Sequence, residues 1–90
     1  MYTIKKWNQF KKDFKKIIHD NSKKEELKKV LNFLIKWEKL PEKYKDHSLK
    51  WKYIWFRECH VKPDFLLIYK FYEDKLILAL LRLWNHNELF

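Results

Sequence analysis

Three histidines stand where a small sheet would place side chains for proton transfer. His47 precedes a predicted strand, His60 follows that strand, and His86 follows the last predicted strand. Imidazole gains and loses a proton near neutral pH, which suits general acid–base chemistry. The fourth histidine, His19, lies near the end of a predicted helix, where a positive charge is favourable, and we assign it a structural or surface role.

Carboxylates and arginines accompany these histidines. Asp46, Glu58 and Asp64 lie within a few positions of the first two histidines, and Arg57 and Arg82 are the two arginines of the chain. The planar guanidinium matches a phosphate better than the point charge of a lysine does. Such a set suits metal-free RNA cleavage: a base takes the 2′-hydroxyl proton, an acid protonates the leaving 5′-oxygen, and cations hold the transition state. An ordinary cross-strand ion pair between Glu58 and Arg82 is the structural alternative.

Other chemistries lack their motifs. The chain has no H-E-x-x-H and no C-x-x-C, so no zinc site is predicted, and without glycine it has neither a P-loop nor a dinucleotide fingerprint. Cys59 adjoins His60, but neighbours on a strand point to opposite faces, so Cys59 is predicted to be a small core residue. A lone cysteine cannot form an internal disulfide, and we expect a cytoplasmic protein.

Two helices are predicted to position these residues. Phe10, Phe14, Ile17 and Ile18 recur at helical spacing after a short opening strand at Tyr2 to Ile4. Ser22 and Glu25 form a capping box for the second helix. The apolar stripe of that helix consists of Leu27, Val30, Leu31, Leu34 and Ile35.

Three strands are predicted to follow. They run from Trp51 to Glu58, from Phe65 to Tyr72 and from Leu76 to Leu83, and the last two are apolar on both faces, as strands covered by helices would be. The order β-α-α-β-β-β predicts an α+β fold with a helical hairpin packed on a mainly antiparallel four-stranded sheet. Residues 1–90 are predicted to form a single domain.

Charge is concentrated in the first half of the chain. The formal net charge is +9, of which residues 1–45 contribute +8, from 14 lysines against 6 acids. Such asymmetry suggests a polyanionic partner, although a solvated helix surface would look the same. The longest apolar run, Leu76 to Leu81, is too short to span a membrane, and no secretory signal is expected.

Three stretches carry a resemblance to a known family. They are LPEKYKDHSL (40–49), FRECHVKPDFLLIYK (56–70) and LRLWNHNELF (81–90). Together they resemble the YafQ branch of the RelE/ParE-superfamily toxins, which belong to bacterial type II toxin–antitoxin pairs. The resemblance is close over the second half of the chain, and the helix order of the first half agrees with it.

This resemblance implies a RelE-like fold and a ribosome-associated endoribonuclease, an mRNA interferase that cuts mRNA during translation without a metal or other cofactor. It also implies a cognate antitoxin whose acidic segment wraps the toxin, with operator DNA bound through that complex. His47 and His60 would transfer protons, and Asp64 would assist or orient them. His86 would be a further acid–base or substrate-contacting group, and Arg82 would stabilise the scissile phosphate.

The same resemblance suggests residues that hold the substrate. Glu58 would position the catalytic groups, and Phe90 would stack on or wedge against a base. Phe65 stands where the family usually has tryptophan and would keep an aromatic surface. We also count Arg57 among the candidate substrate-binding residues. The runner-up functions are a ParE-like gyrase inhibitor, an inactive toxin acting within the antitoxin complex, and a plain nucleic-acid-binding domain, but acid–base residues favour the enzyme.

Tryptophan and glycine depart from the family pattern. The chain has five tryptophans and no glycine, and the family usually has glycine at positions 37, 51, 55 and 84, with position 7 a candidate fifth. One hypothesis is that UGA encodes glycine in this gene and was translated as tryptophan. The alternative is a genuine aromatic ladder of Trp51, Tyr53 and Trp55 that stacks RNA bases or packs in the core. A genuine Trp84 is expected to obstruct the active site and lower activity.

Overall fold

The computed structural model describes residues 1–85 of the chain. Its elements follow in the order β1 (Thr3–Lys6), α1 (Asn8–Lys15), α2 (Asn21–Ile35), β2 (His47–Ser48), β3 (Arg57–Lys62), β4 (Phe65–Tyr72) and β5 (Ile77–Asn85). Single 3-10 turns at Glu42–Tyr44 and Trp51–Tyr53 precede β2 and β3, respectively. Neither helix within this part of the chain is long and apolar enough to cross a membrane.

One five-stranded sheet has the strand order β1-β5-β4-β3-β2. All neighbours are antiparallel except β1 and β5, which pair in parallel from Thr3 opposite Ile77 to Lys6 opposite Leu80. The predicted α+β architecture is confirmed, with one more strand than expected. The extra strand is β2, in which His47 pairs with Glu58 and Ser48 with Arg57.

Both predicted helices form, with different ends. The first ends at Lys15, and residues 16–19 continue as a turn, so Ile17 reaches the core from beyond the helix. The second is capped by Asp20 rather than by Ser22, because the Asp20 carboxylate accepts a hydrogen bond from the Lys23 amide at 3.1 Å. The predicted capping box is therefore wrong, because the capping acceptor is the Asp20 carboxylate and not the Ser22 hydroxyl. The helix nevertheless begins at Asn21, next to Ser22.

The segment from Trp51 to Phe56 is not a strand. A hydrogen bond from the Leu49 amide to the Phe56 carbonyl closes it into a loop that contains the 3-10 turn, and β3 starts only at Arg57. The alternation of side chains that predicted a strand is present, but Trp51 has a φ of 63°, which an extended strand does not allow. The predicted strand-borne aromatic ladder is therefore wrong.

The sheet has two different faces. The helices cover one face, and the core between them includes Val30 and Leu34 from α2 and Cys59, Leu67 and Tyr69 from the sheet. The opposite face carries a smaller cluster, Ile68, Ala79 and Leu81, against which Leu49, Phe56 and Trp84 pack. Because β4 and β5 are apolar on both faces, helices were expected to cover both. Instead, the 49–56 loop covers part of the second face.

Candidate active site

His47, Glu58 and His60 form a cluster on the face of the sheet that the helices leave uncovered. His47 lies directly opposite Glu58 in the β2–β3 ladder, and its Nε2 is 3.4 Å from Glu58 Oε1. His60 is two residues along β3 from Glu58, so both side chains point to the same face. The two imidazole rings are 6.5 Å apart between centroids. Three of the residues expected to carry chemistry are thus brought together.

Backbone carbonyls fix both imidazoles. His60 Nδ1 is 3.1 Å from the Pro63 carbonyl oxygen, and His47 Nδ1 is 2.8 Å from that of Lys45. Because a carbonyl accepts but cannot donate, each Nδ1 carries a proton and each Nε2 is the atom that exchanges one. The Glu58 carboxylate lies beside His47 Nε2, and no such ion pair to His60 is formed by the described residues. Two neighbouring imidazoles, each oriented through Nδ1, can serve as one acid and one base.

Arg82 lies in the same row of the sheet. Glu58 pairs with Ile68, and Ile68 pairs with Arg82, which separates the two charged residues by two strand spacings, about 10 Å. Arg82 does not form the ion pair with Glu58 that was the structural alternative. Its Nε and Nη2 instead bond to Asp13 of α1 at 2.8 and 3.3 Å.

Asp13 was missed by the sequence analysis and holds Arg82 in place. Its side chain is 2% exposed, and it also accepts hydrogen bonds from the Leu83 amide at 2.9 Å and from Gln9 at 3.2 Å. Burial alone would raise the pKa of the Asp13 carboxyl, but the bonds from Arg82, Leu83 and Gln9 outweigh it and hold that pKa below its ordinary value. Asp13 therefore remains ionised and keeps the guanidinium at the sheet edge.

Arg57 does not join this cluster. It precedes Glu58 on β3 and points to the helix-covered face, where its Nη2 bonds to Asp46 at 2.8 Å. Buried Tyr69 donates a further hydrogen bond to Asp46, and burial together with this bond raises the pKa of Tyr69. The hydrogen bond to Asp46 likewise raises the pKa of Arg57. The geometry gives Arg57 a structural partner, and its expected substrate-binding role stays a prediction.

Phe65 also differs from expectation. It is 1% exposed and packs in the main core, with the Lys23 ammonium 4.9 Å from its ring centroid. The expected aromatic surface after the Pro63–Asp64 turn is therefore wrong, because Phe65 shares the helix-facing side of β4 with Leu67. Cys59 is fully buried, as predicted, and burial raises the pKa of its thiol.

Asp64 lies at the turn between β3 and β4, exposed and without an ion pair among residues 1–85. It is adjacent to Pro63, whose carbonyl orients His60, so it borders the cluster without touching it in this structure. His86 and Phe90 lie outside the described residues, and their expected roles stay predictions.

A groove of about 520 Å³ runs along the uncovered face from Glu58 to Arg82. Ile68 and Leu81 form its floor, and Trp7 and Trp84 line the end at Arg82. The guanidinium carbon of Arg82 is 4.3 Å from the Trp84 ring centroid. The groove therefore connects the histidine cluster to a guanidinium across an apolar floor.

The described residues form no metal site. Within residues 1–85, no three His, Cys, Asp or Glu side chains lie close enough together to hold one ion. The two imidazoles and one carboxylate of the cluster are groups that can transfer protons.

Sequence comparison identifies relatives over nearly the whole chain. A family model described as "Bacterial toxin of type II toxin-antitoxin system, YafQ" matches residues 2–90. The mRNA interferase toxin YafQ of Escherichia coli strain B / BL21-DE3 is 40% identical over 70 residues, which cover 77% of this chain and 75% of that protein.

Solved structures agree with this match. A metal-bound toxin from Helicobacter pylori superimposes with a TM-score of 0.89 at 42% identity, and all of both chains is covered. A chain of the Escherichia coli DinJ–YafQ complex gives a TM-score of 0.85 at 34% identity, covering 100% of this chain and 99% of that one. With its sequence matched from residue 2 to residue 90 and its fold matched over its full length, this chain belongs to the YafQ family of bacterial type II toxin–antitoxin toxins.

Proposed function

We propose that the protein is an mRNA endoribonuclease, the toxin of a type II toxin–antitoxin pair that acts on translated mRNA in the cytoplasm. The observation that carries this proposal is the pair of imidazoles, 6.5 Å apart between ring centroids and each oriented through Nδ1. Relatives named mRNA interferase toxin YafQ support the substrate class.

The proposed reaction is transesterification of the RNA backbone. His60 Nε2 takes the proton of a 2′-hydroxyl, whose oxygen attacks the adjacent phosphorus. His47, whose Nε2 lies 3.4 Å from Glu58 Oε1, acts as the acid and gives its Nε2 proton to the 5′-oxygen that leaves. The products are a 2′,3′-cyclic phosphate and a 5′-hydroxyl end. After they leave, His60 gives its proton to water and His47 takes one from water, which restores the enzyme.

Arg82 supplies positive charge at the far end of the groove. Two of its nitrogens are bonded to Asp13, and the guanidinium keeps its remaining donors for a phosphate. Because Arg82 lies about two strand spacings from Glu58 along the groove, we assign Arg82 to the scissile phosphate or its neighbour along the RNA. Asp64 is proposed to assist from the border of the cluster, and His86 is proposed as a further acid–base or substrate-contacting group.

The test is cleavage of purified mRNA, with and without ribosomes, by wild type and by His47→Gln and His60→Gln. Each variant is expected to lose about 10²–10⁴-fold in rate because one proton-transfer group is gone. His19→Gln is the matched control, since His19 is exposed and is not part of the cluster. A substrate with a 2′-deoxy sugar at the cleavage site should resist the wild type. Growth arrest by the two site variants, without RNA cleavage, would overturn the proposal and favour a gyrase-type target.

The antitoxin is proposed to contact a groove between the two helices. This groove has an apolar floor that includes Phe10, Phe14 and Leu31. Five lysines line it and no acidic residue does among the described residues: Lys6, Lys11, Lys15, Lys24 and Lys28. An acidic amphipathic segment matches both the floor and the rim.

Charge reversal tests this surface. Lys24→Glu with Lys28→Glu should weaken binding of the co-expressed cognate antitoxin at least tenfold at low salt, measured by calorimetry. Lys75→Glu, in the turn before β5, changes net charge outside the groove and is the control. Equal affinities of the two variants would place the antitoxin elsewhere.

A further inference from the structure

Four of the five tryptophans are exposed, although the Trp37 ring contacts Tyr2 and Phe71. All five are in the described part of the chain, and none is buried in either core cluster. Trp7, Trp37, Trp51 and Trp55 are 40%, 55%, 85% and 72% exposed. Trp84 is half-buried, and its Nε1 is shielded from solvent without a hydrogen-bond partner among the described residues. Since tryptophan normally contributes through burial of its large side chain, this distribution requires another explanation.

Trp37 occupies a helix-ending position that glycine normally fills. The α2 helix ends at its C-cap, Lys36, and Trp37 follows with a φ of 60°. The Glu38 amide bonds to the Phe33 carbonyl at 2.9 Å, and the Trp37 amide bonds to the Leu34 carbonyl at 3.1 Å. This pair of bonds defines the Schellman motif, whose left-handed residue is usually glycine because a Cβ is unfavourable there.

Trp51 is also left-handed, with a φ of 63° at the start of its 3-10 turn. Two of the five tryptophans therefore adopt positive φ, against two of all the other described residues, Lys45 and Leu76. Aromatic residues rarely adopt this conformation, whereas glycine does so without a steric cost.

Trp7 precedes α1 as its N-cap, with extended dihedrals and no side-chain capping bond. Glycine is an accepted N-cap residue, and tryptophan offers neither the small size nor the acceptor that this position favours. Backbone geometry thus points to glycine at positions 37 and 51. An N-cap without a side-chain bond at position 7 and an unpartnered indole nitrogen at position 84 are compatible with glycine there.

We infer that the protein made in its own cells carries glycine at positions 7, 37, 51, 55 and 84, because its gene uses UGA as a glycine codon. UGA differs from the tryptophan codon UGG only in the third base, so a decoding that reads UGA as tryptophan writes tryptophan at each site. The inference accounts for both the absence of glycine and the five tryptophans in one chain. Position 55 is highly exposed and has an ordinary φ. It is included because its tryptophan belongs to the same excess of tryptophan in a chain without glycine.

Glycine at positions 7 and 84 changes the proposed substrate groove. Both indoles line its Arg82 end, and the Trp84 ring lies against the guanidinium. Without them, Arg82 keeps its bonds to Asp13 while its outer face opens to a phosphate. This consequence rests on the proposed function, whereas the assignment of glycine does not.

Two measurements on the native gene and protein test the inference. The five codons are read from genomic DNA, and peptides spanning the five positions are identified by mass spectrometry of protein from the source cells. UGA at all five positions with glycine in the peptides is the expected result. A UGG codon at any of the five, or tryptophan in the peptides, overturns the inference. RNA cleavage is then compared between the five-glycine and five-tryptophan proteins, and a glycine protein that does not cleave would contradict the proposed function while leaving the codon assignment intact.

Discussion

Removal of the Asp13 side chain is expected to destabilise the fold more than any other single change at the sheet edge. Beyond Lys6 the β1 strand ends, and Asp13 takes over the role of a neighbouring strand by accepting the Leu83 amide at 2.9 Å. In Asp13→Ala that buried donor has no partner, which costs about 1–3 kcal/mol. Loss of the two charge-assisted hydrogen bonds to Arg82 adds a further cost in unfolding free energy. This cost is at the low end for such bonds, because the Arg82 side chain is 35% exposed and can rehydrate.

The total is about 3 kcal/mol, a large share of the 5–15 kcal/mol typical of small domains. With an m value of about 1–1.5 kcal/mol/M, the urea midpoint falls by about 2–3 M. Asp74→Ala, in the exposed turn between β4 and β5, is the control and should stay within about 0.5 kcal/mol of wild type. If Asp13→Ala unfolds at the same midpoint as Asp74→Ala, the role assigned to Asp13 is refuted.

The same variant has a defined pH dependence. Because the folded state holds the pKa of Asp13 below its ordinary value, the carboxylate stabilises the protein above the unfolded pKa, about 3.9. That contribution is lost as the pH falls through the folded pKa. The difference in unfolding free energy between wild type and Asp13→Ala should therefore be constant near neutral pH and shrink below about pH 4. A difference that grows on acidification would contradict the lowered pKa of Asp13 in the folded state.

Three further changes probe the backbone and core. Tyr69→Phe removes the hydroxyl that bonds Asp46 and should cost about 1–2 kcal/mol by urea unfolding, while Tyr72→Phe, whose hydroxyl has no such bond among the described residues, should cost less. Asp20→Ala removes the α2 cap and should cost about 1 kcal/mol, with faster exchange of the Lys23 amide by NMR; unchanged exchange would argue against the cap. Trp37→Gly should stabilise by about 1–2 kcal/mol through relief of positive φ, and Trp55→Gly, lacking that φ, should give no gain in thermal unfolding.

The apolar pattern was sufficient to predict most elements of the fold. β4 begins and ends at the predicted residues, Phe65 and Tyr72, since a run of β-formers bounded by turn residues has few other solutions. The 51–56 loop was missed because alternation of side chains does not report φ, and one left-handed residue is enough to prevent a strand. The parallel β1–β5 pair depends on contacts distant in sequence that no local pattern specifies.

The candidate site was partly visible in the sequence. Glu58 and His60 were expected to act together because they are close in sequence, and their spacing of two does place them on one face of β3. The same alternation places Arg57 on the opposite face, which the sequence analysis did not use. Asp13 left a signal as well, since it lies three residues after Phe10 and four before Ile17, on the buried side of the helix. Nothing in the sequence indicated that Asp13 pairs with Arg82, because the two residues are 69 positions apart.

The parallel pairing of β1 with β5 has a consequence for synthesis of the protein. The first strand and the α1 helix both lie against β5, so their largest packing surface is absent until residues 77–85 have left the ribosome. Loop closure across this distance also delays their docking. At ordinary elongation rates of about 5–20 residues per second, the nascent chain spends several seconds with its lysine-rich helices unassembled. Arg82 can bond to Asp13 only at the end of this interval. The proposed active face therefore forms only after the ribosome has translated the codons of β5.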